Sequence, residues 1–134
     1  MSVEAGLVAI LKADETVAGL VTARIYPVYI PESATLPCIT YQVTGKTDVN
    51  CAGGQTPLVE GSAQITCFAT TYLGAVALAD AVRSAVGGYS GTAGGTVIQA
   101  IFVTDQGDIP EVSPDDDVSR RFARRINIDV WHLV

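Results

Sequence analysis

The sequence predicts an α+β domain in which a mostly antiparallel β-sheet has its helices packed on one face, in the order αα-β-β-β-α-β-β. Residues 59–69, VEGSAQITCFA, alternate between small or apolar side chains and polar ones, which is the period of a strand with one buried face. Residues 72–86, YLGAVALADAVRSAV, then show the period of an amphipathic helix. Strands on both sides of such a helix are typical of helices that cover one face of a sheet.

The composition indicates one domain, residues 1–134, with enough apolar residues for a core. Hydrophobic residues make up 49% of the chain and charged residues only 16%, so the surface carries few charges. Such a surface indicates either that partners cover part of it or that the protein is an ordinary monomer of low charge. The net charge of −6 argues against wrapping DNA, because contacts to phosphates need a basic surface. DNA can still pass along an acidic wall without adhering to it.

Two short helices are predicted at the N-terminus. Ser2 can cap a helix over residues 3–13, in which the apolar side chains recur on one face. Asp14 can cap a second helix over residues 15–20. Each helix thus begins at a side chain that can accept a hydrogen bond from the first turn.

Further strands are predicted before the long helix. Residues 24–29 (RIYPVY) have the composition of a strand, and Pro27 restricts it to an edge or a bulge. A loop at 31–37 leads to an alternating strand over 38–44. Residues 45–57 are polar, contain glycine and are too many for a tight hairpin, so we expect a mobile hairpin arm.

The long helix has a start signal and a stop signal. Thr70 or Thr71 can cap its N-terminus, and Gly87 and Gly88 can supply a left-handed end. Its predicted buried stripe consists of Tyr72, Ala75, Val76, Ala79, Val82 and Val86.

The C-terminal third is predicted to contain two strands. A turn-rich link over 89–95 precedes a strand over 96–104. Residues 105–117 (DQGDIPEVSPDDD) hold two prolines and six acids, and we expect a second polar loop there. The last strand is predicted over about 119–132.

The cysteines and the N-terminus bear on the compartment. Cys38, Cys51 and Cys67 form no CxxC pair, and their odd number favours a reduced, cytoplasmic protein. Cys38 and Cys67 fall in predicted strands and are interpreted as core residues, whereas Cys51 falls in a loop. Residues 1–11 have no basic start typical of a secretory signal, and no apolar run approaches the ~20 residues of a membrane span.

The sequence does not match the common patterns of catalytic or metal sites. His132 is the only histidine, and its place beside Trp131 favours a surface or strand-end residue. The acids of 105–117 lack the spacing of a calcium loop, and no glycine-rich segment continues as a phosphate loop. We therefore expect no catalytic residue, no metal, no cofactor and no enzymatic activity.

Opposite charges are concentrated near the C-terminus, and two interpretations stay open. The acids and arginines can pair locally, where exposed pairs contribute only ~0–1 kcal/mol each. Alternatively, the acids of one copy contact the arginines of the next, which suits head-to-tail ring closure. The polar strand face of 59–69 is a further place for a neighbouring copy. The candidate interface residues are Asp115, Asp116, Asp117, Arg120, Arg121, Arg124, Arg125, Glu60 and Gln64.

Several short segments, in this order and spacing, carry a family resemblance that spans nearly the whole chain. They follow an alanine-rich N-terminal helix and a short second turn, and they are RIYP at 24–27, LPCITYQ at 36–42, ITCFA at 65–69, ALADAVR at 77–83 and DVWH at 129–132. On these segments the chain resembles the tail-completion family of long-tailed bacteriophages and prophages, whose members include tail terminators and tail-to-head joining proteins.

The resemblance implies a small α+β structural protein without catalytic residues. Such a protein assembles in the virion as a hexameric ring on the tail tube, ends tube polymerisation and presents the surface that joins the head connector. The implied partners are further copies of itself, the tail tube protein and the head connector or neck protein, with DNA passing through the lumen without specific binding. The implied location is the head-proximal end of the virion tail, after assembly in the host cytoplasm.

Other functions are kept as alternatives. Within a virion, the chain could be a neck adaptor or a relative of the tail tube protein. From a different class, it could be a small-molecule binding module or an enzyme of unknown chemistry. That class requires a cleft with convergent polar groups or perturbed titratable groups.

Overall fold

The computed structural model describes residues 2–30, 35–109 and 122–133. The predicted α+β fold and its element order are confirmed, and a three-residue strand is added within the predicted link at 89–95. The elements are α1 (Val3–Ala13), α2 (Glu15–Val21), β1 (Ile25–Pro27), β2 (Cys38–Cys51), β3 (Gly54–Ala69), α3 (Tyr72–Val86), β4 (Gly91–Ala93), β5 (Thr96–Ile109) and β6 (Phe122–Leu133).

The predicted helix signals are present in the structure. The side chain of Ser2 accepts a hydrogen bond from the first turn of α1, Asp14 does so for α2, and Thr71 does so for α3. Gly88, just after α3, has a φ of 76°, the left-handed conformation expected there. None of the described helices is long and apolar enough to cross a membrane.

The strands form one six-stranded sheet in the order β1-β2-β3-β6-β5-β4. Among the described strands, β1 and β2 run parallel and each of the other neighbouring pairs is antiparallel. β1 lies at one edge, as the proline within it predicts. The sheet is therefore mostly antiparallel, as predicted.

β2 and β3 form one long hairpin that turns at Ala52 and Gly53. The expectation that 45–57 is too long for a tight hairpin was wrong, because both strands continue through this polar segment. Strand pairing is held by backbone hydrogen bonds, so a ribbon with solvent on both faces needs no apolar alternation. Cys51 is accordingly the last residue of β2 and not part of a loop.

β5 is also longer than predicted. It continues past the expected end at 104 to Ile109, so Asp105 and Asp108 belong to a strand and not to a loop. The reason is that both carboxylates bond to side chains of β6, which compensates for their low strand propensity. The rest of the predicted acidic loop, and the predicted start of the last strand before Phe122, lie outside the described residues.

The three helices pack on one face of the sheet, here called the helix face. On β3, the residues predicted to be buried are all buried, and they are Val59, Gly61, Ala63, Ile65, Cys67 and Ala69. Of these, Ala63, Ile65 and Cys67 belong to the core under the helices. From the other side, α1 contributes Leu7 and Leu11, and α3 contributes Ala79 and Val82. This core joins both N-terminal helices and α3 to the sheet.

The predicted stripe of α3 needs two corrections. Tyr72 is 46% exposed and Val76 is only half-buried, whereas Leu78 and Ala81 are buried. Tyr72 stands at the first turn, where its hydroxyl reaches β5 and does not enter the core. The helical period gave the correct face but not the point at which α3 begins to lie over the sheet.

The opposite face of the sheet, here called the open face, carries a second small apolar cluster near β1. Its buried members are Cys38, Phe68 and Ala123. Thr66, predicted to be on a polar face, is buried two residues before Phe68. Both Cys38 and Cys67 are buried, as predicted, but they lie on opposite faces.

Candidate interaction surface

The antiparallel register of β5 and β6 places Asp108 opposite Arg124. Nη1 of Arg124 donates to Oδ1 of Asp108 over 3.1 Å, and the Tyr72 hydroxyl donates to Oδ2 over 2.9 Å. The Tyr72 ring also meets Phe122 edge-to-face, with ring centroids 6.1 Å apart. Arg124 lies on the same face of β6 as Ile126, two residues later, and its side chain is 23% exposed.

Arg125 lies on the open face and pairs with a different acid. Its Nη2 donates to Oδ2 of Asp105 over 3.1 Å, and the Asn127 amide donates to the same oxygen over 3.5 Å. Gly107, opposite Arg125, leaves room for the guanidinium, because a Cβ there would stand 3.1 Å from Nη1. The two neighbouring arginines therefore anchor opposite faces of the same strand pair.

For Arg124 and Arg125, the structure shows local pairing within one copy. Their partners, Asp105 and Asp108, were missed as site residues, as was Tyr72. The two acids stand three residues apart in the segment DQGD. This spacing places them beside the arginines only if β5 continues to Ile109, which the sequence did not predict. The predicted interface residues Asp115, Asp116, Asp117, Arg120 and Arg121 lie outside the described residues.

Glu60 and Gln64 lie half-buried on the open face of β3, as predicted. The polar row to which they belong bonds mainly within the sheet. The Ser62 hydroxyl donates to Oδ1 of Asp129 over 3.2 Å, and the Gln64 amide donates to the Thr66 hydroxyl over 3.3 Å. The open face thus presents a strip of hydrogen-bonded polar groups.

A concave, mostly apolar depression adjoins this polar strip. Its volume is about 420 Å³. It is lined by Leu58, Gln99, Ala100, Phe102, Trp131 and Leu133. Phe102 is 56% exposed, a large apolar side chain left on the surface. Such a lining suits contact with another apolar surface.

Two titratable side chains of the helix face are buried. His132 is 6% exposed, and its Nε2 has no hydrogen-bond partner among the described residues. Burial lowers the pKa of His132, and the positive charge of Lys46 lowers it further. The strand-end position of His132 was predicted correctly. A surface location was wrong, because the ring is buried beside Gly61 of the adjacent strand, where a Cβ would stand 3.5 Å from Nε2.

Cys67 is the other buried group, and burial raises its pKa to about 12, with a smaller contribution from Cys38. The thiol is therefore protonated at neutral pH. Within 2–30, 35–109 and 122–133, no group of three or more histidine, cysteine, aspartate or glutamate residues is placed to hold a metal ion.

A family model described as tail completion protein gp17 matches residues 5–132. The chain belongs to the tail completion protein gp17 family. Members of this family are phage proteins of the virion tail, so this tail completion protein is a structural virion component that assembles with other virion proteins.

A solved structure supports the fold of this tail completion protein. A chain titled "Virion of native gene transfer agent (GTA) particle" superimposes with a TM-score of 0.68, over 99% of this chain and 94% of that chain. The sequence identity is 18%, so this likeness shows the fold alone. No curated protein matches this chain in sequence.

For a tail completion protein, the functional sites are its contact surfaces. The described residues supply three candidates for such a surface: the polar strip, the apolar depression, and the end of the sheet where Tyr72 and Phe122 stand partly exposed.

Proposed function

We propose that this chain caps the phage tail tube as a hexameric ring, ends tube polymerisation and forms the interface to which the head connector attaches. The observation that carries the proposal is the family match over residues 5–132. The ring sits at the head-proximal end of the tail, after assembly in the host cytoplasm. Its partners are further copies of itself, the tail tube protein and the head connector or neck protein.

The surface of the chain supports this proposal. A subunit with only 16% charged residues and an exposed Phe102 beside an apolar depression has surface suited to protein contacts. The net charge of −6 favours passage of DNA through the ring without adhesion.

Arg124 and Arg125 remain candidates for contacts between copies although each already holds an aspartate. A guanidinium has five N–H donors, so a second acceptor can bind to each. Their side chains are 23% and 34% exposed, which leaves part of each guanidinium accessible to a neighbour. The proposed interface residues are Asp115, Asp116, Asp117, Arg120, Arg121, Arg124, Arg125, Glu60 and Gln64.

The function is tested by adding the purified protein to headless tails assembled without it. A terminator stops further addition of tube protein, so tail length becomes fixed in electron micrographs. A joiner restores attachment of heads to tails of unchanged length. Tails that neither stop growing nor join heads would contradict the proposal, and incorporation along the whole tube would indicate a tube protein.

The arginines are tested by a charge-matched comparison. Arg120→Ser/Arg121→Ser/Arg124→Ser/Arg125→Ser is expected to abolish rings while far-UV circular dichroism shows a retained fold. The Arg120→Ser/Arg121→Ser subset leaves both described ion pairs intact. Lys12→Ser/Arg83→Ser removes the same charge as this subset, from exposed helix positions, and is expected to form normal rings. Normal rings from the quadruple variant would exclude these arginines from the interface.

A further inference from the structure

The sheet has an open edge on each side. β1 pairs only with residues 39–41 of β2, and β4 pairs only with residues 96–98 of β5. In the described part of the chain, no strand lies beside the outer edge of β2 over 43–48 or beside that of β5 over 103–109. Long edges of this kind are templates for pairing with another chain.

The direction of the backbone groups on β2 follows from two hydrogen bonds on its outer side. The carbonyl of Tyr41 accepts from the N–H of Val28 over 2.8 Å, and the N–H of Ile39 donates to the carbonyl of Arg24 over 3.0 Å. Ile39 and Tyr41 both pack in the core of the helix face. On β2, residues on the helix face therefore direct their N–H and C=O groups outward.

Lys46 is one of these outward-directed residues. Its Nζ lies 3.3 Å from Oε1 of Glu4 on α1, which places its side chain on the helix face. The backbone N–H of Lys46 consequently points out of the open edge of β2.

The outer edge of β5 follows the same rule. The carbonyl of Ile101, a residue buried on the helix face, accepts from the N–H of Gly88 over 2.9 Å. Asp108 lies on the helix face because it bonds to Tyr72 of α3, and Gln106, two residues earlier, shares its direction. Both open edges therefore direct backbone donors and acceptors outward at alternate residues, with no neighbouring strand among the described residues to pair with them.

We propose that the open edge of β2 in one copy pairs with the open edge of β5 in the next copy, so that the sheet continues from subunit to subunit. This rests on the proposed ring. In a ring whose axis is parallel to the strands, the rotation that relates one copy to the next leaves the direction of every strand unchanged. Within one copy, β2 and β5 run in opposite directions. The junction is thus antiparallel, like the pairs of long strands within the sheet, and the helices stay on the same side in every copy.

Two properties favour a second copy as the occupant and head-to-tail pairing as its geometry. A two-fold pairing of β2 with β2 would leave β5 open in both copies, whereas head-to-tail closure covers both edges in every copy. The strand directions also match, because β2 and β5 run in opposite directions and their edges therefore meet antiparallel in a head-to-tail contact.

Both open edges are also irregular in shape. Each carries a β-bulge, between Val43 and Gly45 on β2 and between Val103 and Asp105 on β5. A bulge twists a strand locally and disfavours pairing with an arbitrary flat edge.

The test compares proline with alanine at outward positions. Lys46→Pro and Lys46→Ala both lose the ion pair to Glu4, but only proline loses the N–H. Proline is tolerated on an edge strand, so both variants are expected to fold with similar melting temperatures. Rings on tails are expected to fall at least about tenfold for Lys46→Pro and to stay normal for Lys46→Ala. Gln106→Pro and Gln106→Ala repeat the comparison on β5.

A cross-linking experiment tests the same junction without proline. In a Cys51→Ser background, Lys46→Cys/Gln106→Cys treated with a short bismaleimide is expected to give a ladder of covalent oligomers. Lys46→Cys alone is expected to stay monomeric on a denaturing gel. A dimer from Lys46→Cys alone would indicate two-fold pairing and overturn the proposal.

The outcomes separate this inference from the proposed function. Normal rings from Lys46→Pro or Gln106→Pro overturn the edge pairing and leave the ring intact. Wild-type protein that forms no rings on tails overturns the ring and the edge pairing together. Loss of rings in both proline variants, with the ladder in the double cysteine variant, supports both.

Discussion

Nη1 of Arg124 and Oδ1 of Asp108 stand 3.1 Å apart on neighbouring strands, and the same carboxylate accepts a hydrogen bond from Tyr72 of α3. This pair therefore joins β5, β6 and the first turn of α3 at one end of the sheet. Nε of Arg124 is buried and has no hydrogen-bond partner in the described part of the chain. The guanidinium therefore depends on the bond from Nη1 to Asp108 for its position.

Asp108→Ala is expected to lower the free energy of unfolding by about 1 kcal/mol. The half-exposed pair contributes little by itself, but its loss also removes the Tyr72 bond and leaves a partly buried guanidinium without its acceptor. Urea denaturation measures the change. Asp80→Ala, at an exposed position of α3, is the control, and an equal change in both variants would contradict the expectation.

Gly94→Ala and Gly19→Ala are expected to change stability in opposite directions. Gly94 has a φ of 57°, and a Cβ there would stand 2.7 Å from the carbonyl oxygen of Ala5, so alanine should cost about 2 kcal/mol or more. Gly19 lies in α2, and a Cβ there would have nothing within 4 Å, so alanine should add up to about 1 kcal/mol. Thermal and urea unfolding provide both values, and a neutral Gly94→Ala would disprove the close approach of α1 to the turn before β5.

The buried His132 is expected to make the protein less stable in mild acid. Its pKa is lowered by burial in the folded state, so the unfolded chain binds the proton more tightly. Its contribution is complete above the ordinary pKa of 6.5 and is lost as the pH falls below that value. Urea midpoints between pH 7.5 and 5 should fall more steeply for wild type than for His132→Gln, and parallel curves would exclude this role.

Cys67 is expected to make the free energy of unfolding fall as the pH rises above 9. Its pKa rises from the ordinary 9.0 to about 12 on folding, so the folded state holds its proton more tightly than the unfolded chain does. The contribution is complete below pH 9 and is lost between 9 and 12, at up to about 1.4 kcal/mol per pH unit. The difference in unfolding free energy between wild type and Cys67→Ala should therefore shrink as the pH rises through this range.

Strands and helices could be predicted from the sequence where the burial of one face imposes a regular spacing of apolar residues. The alternation of Val59–Ala69 was enough to identify a strand with one covered face, and the caps Ser2 and Asp14 were enough to set the starts of α1 and α2. For α3 the sequence left Thr70 and Thr71 open, and the cap is Thr71. The ends of β2 and β5 could not be predicted in this way, because polar residues extend a strand only when a paired neighbour is present.

The contacts of the candidate surface depended on the same long-range register. Arg124 and Arg125 were identifiable as a charged pair, but their acids became clear only when β5 reached Ile109 beside β6. His132 is likewise buried beside Gly61, a residue 71 positions earlier on an adjacent strand. Information of this kind does not lie in any local window of the chain.

The two ends of the sheet are unlike, and this gives the subunit a direction. At one end, β3 pairs with β6 only from Leu58 onward, so residues 54–57 project with β2 as a two-stranded ribbon. At the other, α3 begins with Leu73 77% exposed. A ring whose axis follows the strands has all ribbons on one rim and all helix starts on the other. The two rims of the proposed ring would therefore offer different surfaces, one for the tube and the other for the head connector.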